Sequence, residues 1–168
     1  APGGFTGQVV VDLANTLVVS DEGNEKILLD GESVISTIMM RYGLRDGVEL
    51  GLDLPYVVHE SGAMDYFIED WHVFFHLPEG HRNDRPRKIL EYRYERDGRL
   101  LHLQGKSSGG PGDIQLSLAT PLLSHQLKRG QDVSLRATLK LPTGKTEELH
   151  GSGGVDFSLR LCGEDSTS

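Results

Sequence analysis

From Gly110 to Leu123 the chain reads GPGDIQLSLATPLL, in which Ile114, Leu116, Leu118, Thr120 and Leu122 alternate with Asp113, Gln115, Ser117 and Ala119. A period of two places the first set on one side of an extended strand and the second on the other. The zigzag recurs in DVSLRATLKL, where Val133, Leu135, Ala137, Leu139 and Leu141 oppose Asp132, Ser134, Arg136, Thr138 and Lys140. In VDFSLRL, Val155, Phe157, Leu159 and Leu161 oppose Asp156, Ser158 and Arg160. Earlier, Val48, Leu50, Leu52 and Leu54 face away from Glu49, Gly51 and Asp53, and a looser pattern sets Val34, Ile38, Met40, Tyr42 and Leu44 against Thr37, Met39 and Arg41.

Eight segments carry strand patterning, at about residues 8 to 19, 32 to 44, 47 to 58, 88 to 96, 99 to 105, 112 to 123, 131 to 141 and 154 to 161. Most run about nine to thirteen residues, longer than the five or six usual in soluble sheets and close to the roughly 9 to 11 that cross a bilayer at a tilt. Arg45-Asp46-Gly47 and Asp97-Gly98 are Asp-Gly hairpin signals, and Ser124 to Gly130 is also short. Ser20 to Gly31, His59 to Arg87, Lys106 to Pro111 and Pro142 to Gly153 are longer, so short and long links are expected to alternate along the chain. An up-and-down meander closed into a barrel accounts for that alternation, whereas a Greek-key sandwich gives no reason for it. The expected fold is therefore all-β, an antiparallel up-and-down β-barrel of about eight strands. It is expected either as a single domain over residues 1–168 or as the amino-terminal part of a larger barrel.

What the aliphatic side of these strands touches is a separate question. A membrane barrel turns it to lipid and keeps the polar side for the lumen, while a soluble sandwich or lipocalin-like barrel turns it to protein or to an apolar ligand. The 168 residues suit one domain with its own core. A net charge of -8, from 25 acidic and 17 basic side chains, leaves no basic field for phosphate backbones, so nucleic acid is not an expected partner. Nothing approaches the roughly 18 to 20 consecutive apolar residues of a spanning helix. The mean hydropathy of -0.32 does not separate a barrel from a soluble protein, because alternating strands average out. Cys162 is the sole cysteine and rules out an internal disulfide. The APGGF start carries neither a charged leader nor an apolar signal core, as expected of a mature or trimmed end, and the LRLCGEDSTS end is expected to fray.

Several stretches carry a family resemblance. GGPGDIQLSL, LKLPTGK and GSGGVDFSL resemble the glycine-rich elements of predicted outer-membrane proteins grouped with aromatic-degradation pathways, the phenol meta-pathway group. LLDGES, RYGLRDGVELGLDLPYV and GAMDYFIEDWHVFFHLPEGHRNDRP resemble a proteobacterial domain of unknown function, itself predicted to be an outer-membrane barrel. The likeness spans about residues 8 to 161 and implies a pore or transporter-like barrel of unknown substrate. Members of that family look nearly twice as long, and outer-membrane barrels usually finish on a strand with a terminal aromatic, whereas the last strand here ends VDFSLRLCGEDSTS. Either this is the amino-terminal portion of a larger barrel, or eight strands close around a lumen filled by side chains.

Candidate chemistry concentrates in SGAMDYFIEDWHVFFHLPEGHR, where helical spacing predicts a short helix near residues 64–76. Asp65, Glu69, His72 and His76 fall at steps of four, three and four and form one polar stripe. Such a stripe could ligate a divalent metal, but the zincin spelling fails, since Val73 stands where its Glu would be. The plainer reading is an amphipathic loop helix with Phe67, Ile68, Trp71, Phe74 and Phe75 packing on the sheet or on a membrane surface, closed by Leu77-Pro78-Glu79-Gly80. No Gly-x-Ser-x-Gly elbow supports a hydrolase, and Ser124 beside His125 is adjacent in sequence only. Asp30-Gly31 and Gly112-Asp113 lack the run of oxygen ligands a calcium loop needs, and turn formation explains both.

The resulting expectation is a non-enzymatic outer-membrane β-barrel for passive or facilitated passage of a small molecule, hydrophobic ones included, with membrane lipid and the solute as partners. No cofactor and no resident metal are expected, and sequence leaves oligomeric state open. Arg41, Glu49, Asp53, Glu69, His72, His76, Arg136, Lys140 and Arg160 are the candidate lumen-facing or ligand-contacting residues. The rival is a periplasmic soluble β-sandwich or lipocalin-like module that binds an apolar ligand. A hydrolase built on the His72 region ranks below both.

Overall fold

A computed structural model describes residues 2–62, 64–77, 86–122 and 131–165. Nine strands are present among them: β1 (Phe5–Glu22), β2 (Glu25–Arg45), β3 (Val48–Glu60), β4 (Glu91–Arg96), β5 (Arg99–Gln104), β6 (Ser108–Pro111), β7 (Gln115–Pro121), β8 (Gln131–Lys140) and β9 (Asp156–Asp165). A single α-helix, α1 (Asp65–Phe75), follows β3, and a 3-10 turn covers Thr146–Glu148. The strands form one antiparallel sheet in the order β5-β4-β2-β3-β7-β8-β9, with β1 also on β2 and β6 also on β3. The fold is thus all-β, built on antiparallel strand pairing, with one short helix where helical spacing predicted it.

The connections differ from expectation in an informative way. Ser20 to Gly31 is not a long link: β1 runs into β2 across Gly23 and Asn24, with Gly23 at φ 62°. The charged residues that made this stretch look like a loop pair across strands, Lys26 with Asp21 at 2.9 Å and Arg96 with Glu25 at 3.3 Å. Lys106 to Pro111 likewise contains β6. The Asp-Gly turns behave as read: Asp97 and Gly98 both take positive φ, 52° and 71°, which is the two-residue hairpin geometry that matches strand twist. Short and long links therefore do not alternate strictly. The β4–β5 hairpin returns to the first half of β2, with Glu25 opposite Arg96 and Asp30 opposite Glu91, so it leaves the simple meander.

The chain divides into two compact units. The first comprises Ala1–Val10, Ser36–Tyr56 and Pro111–Ser168. Here four strands lie in strict register: Leu52, Leu116, Leu139 and Phe157 form one row, and Leu50, Leu118, Ala137 and Leu159 another. Between them run the polar rows Asp53, Gln115, Lys140, Asp156 and Gly51, Ser117, Thr138, Ser158. One face of the sheet is aliphatic and the other polar across all four strands. The second unit comprises Val11–Ile35 and Val57–Gly110 and holds the buried apolar side chains Val57, Leu90 and Tyr92, with Glu32, His59 and Gln104 buried beside them. Gly31 is required there, because a Cβ would lie 2.6 Å from Leu90 Cδ1 and 3.1 Å from the Tyr92 hydroxyl.

Candidate functional site

The polar face of the first unit is a ladder of opposite charges. Arg41, on β2, donates from both terminal nitrogens to the Asp53 carboxylate on β3, the second contact at 3.2 Å, and its Nε lies 3.9 Å from Glu49. Glu49 also accepts from Arg136 Nη2 on β8 at 2.9 Å, and the other Arg136 terminal nitrogen donates to Ser117 Oγ at 3.2 Å. Small residues make room for the guanidinium groups: a Cβ on Gly51 would meet Ser117 Oγ and come within 3.1 Å of Arg41. The side chains of Arg41 and Asp53 are only 19% and 18% exposed, whereas Leu118 on the aliphatic face is 44% exposed and Leu159 61%. That ordering is the reverse of a soluble sheet, in which the aliphatic face is the covered one.

At the ends of β7 and β8 the polar face closes in a second cluster around Asp113. Its carboxylate accepts from the backbone amides of Gly144 at 3.0 Å and Ser152 at 2.9 Å, from Ser152 Oγ at 3.3 Å, and lies 3.4 Å from the Lys140 ammonium. Lys140 also pairs with Asp156. Thr143 Oγ1 donates to the Gly112 carbonyl at 2.7 Å and accepts from the Ile114 amide at 3.0 Å. A Cβ on Gly144 would stand 2.6 Å from the His150 carbonyl oxygen. Burial alone would raise the Asp113 pKa, but the Ser152 and Gly144 amides and Lys140 outweigh it and hold the carboxyl below its ordinary value. The three glycine-rich motifs of the sequence therefore meet at one aspartate, although Gly144 and Ser152 lie 31 and 39 residues beyond it.

In the second unit, Ser33 Oγ lies 2.9 Å from His59 Nδ1 and 3.3 Å from the Tyr92 hydroxyl, and the His59 and Tyr92 rings meet edge to face. Buried Glu32 accepts from Asn15 Nδ2 at 3.0 Å and from the Met64 amide at 2.6 Å, so a carboxylate on β2 tethers the positive end of α1. A serine beside an imidazole is also the start of a nucleophile–base pair. Here the two join β2, β3 and β4 into one packed layer, with His59 buried and its ring against Tyr92. Sequence reasoning passed over Glu32, Ser33, His59 and Tyr92 because they share no motif and meet only through strand pairing.

The expected site residues thus fall into separate groups. Arg41, Glu49, Asp53 and Arg136 form the charge ladder, Lys140 belongs to the Asp113 cluster, and Arg160 lies exposed on β9 opposite Arg136 in the register. His72 is half-buried on α1, while His76 is exposed and ends the helix in a left-handed conformation at φ 54°. The side chains of Asp65, Ile68 and Glu69, the stop at Pro78 to Gly80 and the link Ser124 to Gly130 lie outside the described residues. Among the described residues no three His, Cys, Asp or Glu side chains gather in a way that could hold a metal ion. Phe67, Trp71, Phe74 and Phe75 are exposed and stack on one another.

These features define an all-β antiparallel protein whose first unit has a charge-lined polar face and an exposed aliphatic one. The chain belongs to the family described as "Protein of unknown function (DUF3187)", whose model matches residues 1–168. No curated protein and no solved structure matches it.

Proposed function

We propose that this chain forms, or contributes strands to, a β-barrel of the bacterial outer membrane and passes small molecules along its polar face without catalysing a reaction. The supporting observation is the exposure of the sheet's aliphatic face: Leu50, Leu116, Leu118, Leu159 and Phe157 are exposed, while Arg41 and Asp53 on the other face are covered. Full burial of one such side chain is worth about 1.5 to 3 kcal/mol. Leaving a band of them half-exposed to water would cost on the order of 10 kcal/mol, comparable to the whole stability of a domain. Hydrocarbon removes that cost, and β8 and β9, at 10 residues each, are long enough for a tilted crossing.

On this reading Arg41, Glu49, Asp53 and Arg136 line the passage as fixed, mutually neutralising charges, which suits neutral or weakly polar solutes better than ions of one sign. The likeness of the glycine-rich motifs to the phenol meta-pathway outer-membrane group agrees with a small hydrophobic or aromatic solute. A lipocalin-like binder would place its aliphatic face inward against the ligand, the opposite arrangement.

The test is electrophoretic and functional. The protein as encoded is expected to fractionate with outer membranes, to need detergent, to migrate differently before and after boiling, and to make vesicles permeable to small neutral solutes. Monodisperse behaviour in plain buffer with no heat-modifiable form would overturn the proposal.

A further inference from the structure

The helix between β3 and β4 exposes a row of aromatic rings. Phe67, Trp71, Phe74 and Phe75 form a continuous ring cluster, with centroids 5.8, 4.5 and 4.8 Å apart, and all four are half-exposed or more, Phe74 reaching 72%. On a helical projection these positions fill one sector, and His72, beside that sector, is the better covered. Tyr66, also exposed, carries the Arg87 guanidinium 4.9 Å and the Lys88 ammonium 5.6 Å from its ring centre. The start of the helix is held to the sheet by the bond from the Met64 amide to Glu32. The ring face is therefore presented by an anchored element.

We infer that α1 is an interfacial anchor, whose Phe67, Trp71, Phe74 and Phe75 insert into the boundary between headgroups and acyl chains. The chemistry favours this occupant over a protein partner. Tryptophan and tyrosine rings settle at membrane interfaces, where the ring is shielded and the polar edge stays wet, and long cationic side chains extend alongside them toward phosphate. The three carboxylates of the helix, Asp65, Glu69 and Asp70, oppose binding driven by anionic lipid, so the rings supply the affinity. The inference rests on the membrane-barrel reading and extends it to a second contact with the bilayer.

The protein contains one tryptophan, Trp71, so its fluorescence reports this helix alone. In phosphatidylcholine–phosphatidylglycerol vesicles, Trp71 emission is expected to shift to the blue and to be quenched by lipids brominated near the top of the acyl chain. Iodide in the water should quench it weakly. Phe67→Ser with Phe74→Ser is expected to move emission back to the red and restore iodide quenching, with heat-modifiable migration unchanged. Trp71 open to iodide, or shielded from both iodide and brominated lipid as in a helix folded into a lumen, overturns the anchor even where heat-modifiable migration upholds the barrel. Loss of heat-modifiable migration in the unaltered protein counts instead against the barrel. Should the double variant fail to fold, quenching of the unaltered protein decides.

Discussion

Asp113 shows how a single carboxylate organises a rim of the sheet. It ties the approach to β7 to both ends of the β8–β9 link, and the glycines around it are small because backbone passes where a side chain would stand. Asp113→Ala removes one acceptor from three donors and an ammonium, so it is expected to lower stability by about 1 to 3 kcal/mol, read as the unfolding midpoint in detergent. Gly144→Ala should be comparably damaging, because its methyl group would meet the His150 carbonyl oxygen. The pH dependence has a definite sign. Because the folded-state pKa of Asp113 lies below the unfolded one, its contribution is complete above about pH 4 and fades as pH falls through the folded value. Asp113→Asn should reduce stability at neutral pH and flatten its acid-side decline; an unchanged acid profile would refute the assignment.

At the scale of the strand, the two faces make opposite predictions. Leu118→Arg places a charge on the aliphatic face, where a bilayer penalises it by about 2 to 4 kcal/mol near the midplane. Such a variant is expected to insert poorly and lose heat-modifiable migration. Arg136→Gln changes the polar face and should leave insertion intact. It releases Glu49, which then pairs with Arg41 alone, so passage should shift in favour of cations, measured as the reversal potential of vesicle or planar-bilayer currents. If instead Leu118→Arg is tolerated and Arg136→Gln prevents insertion, the faces are assigned the wrong way round. Among the described residues β9 pairs with β8 alone, and its Phe157, Leu159 and Leu161 are 65%, 61% and 67% exposed.

For the molecule as a whole, alternation along each strand was enough to read an all-β antiparallel fold, the two Asp-Gly hairpins and a lone helix with aromatic and polar sides. Those are local properties, set by side-chain period and by turn residues that tolerate positive φ. The hairpin at Gly23 was illegible because its flanks are rich in charge, and charge reads as loop until the cross-strand partners Asp21 with Lys26 and Glu25 with Arg96 are known. The site divided in the same way. Arg41, Glu49, Asp53 and Arg136 were recognisable as one polar face, since each sits on the polar side of its own strand. That Glu49 binds two arginines, or that three glycine motifs converge on Asp113, depends on register between strands up to about ninety residues apart, which no local pattern encodes. Sequence by itself determined which side chains share a face. Only the tertiary structure decided that the aliphatic face is the uncovered one, because exposure depends on what other segments pack against a face, and here none of the described segments covers it.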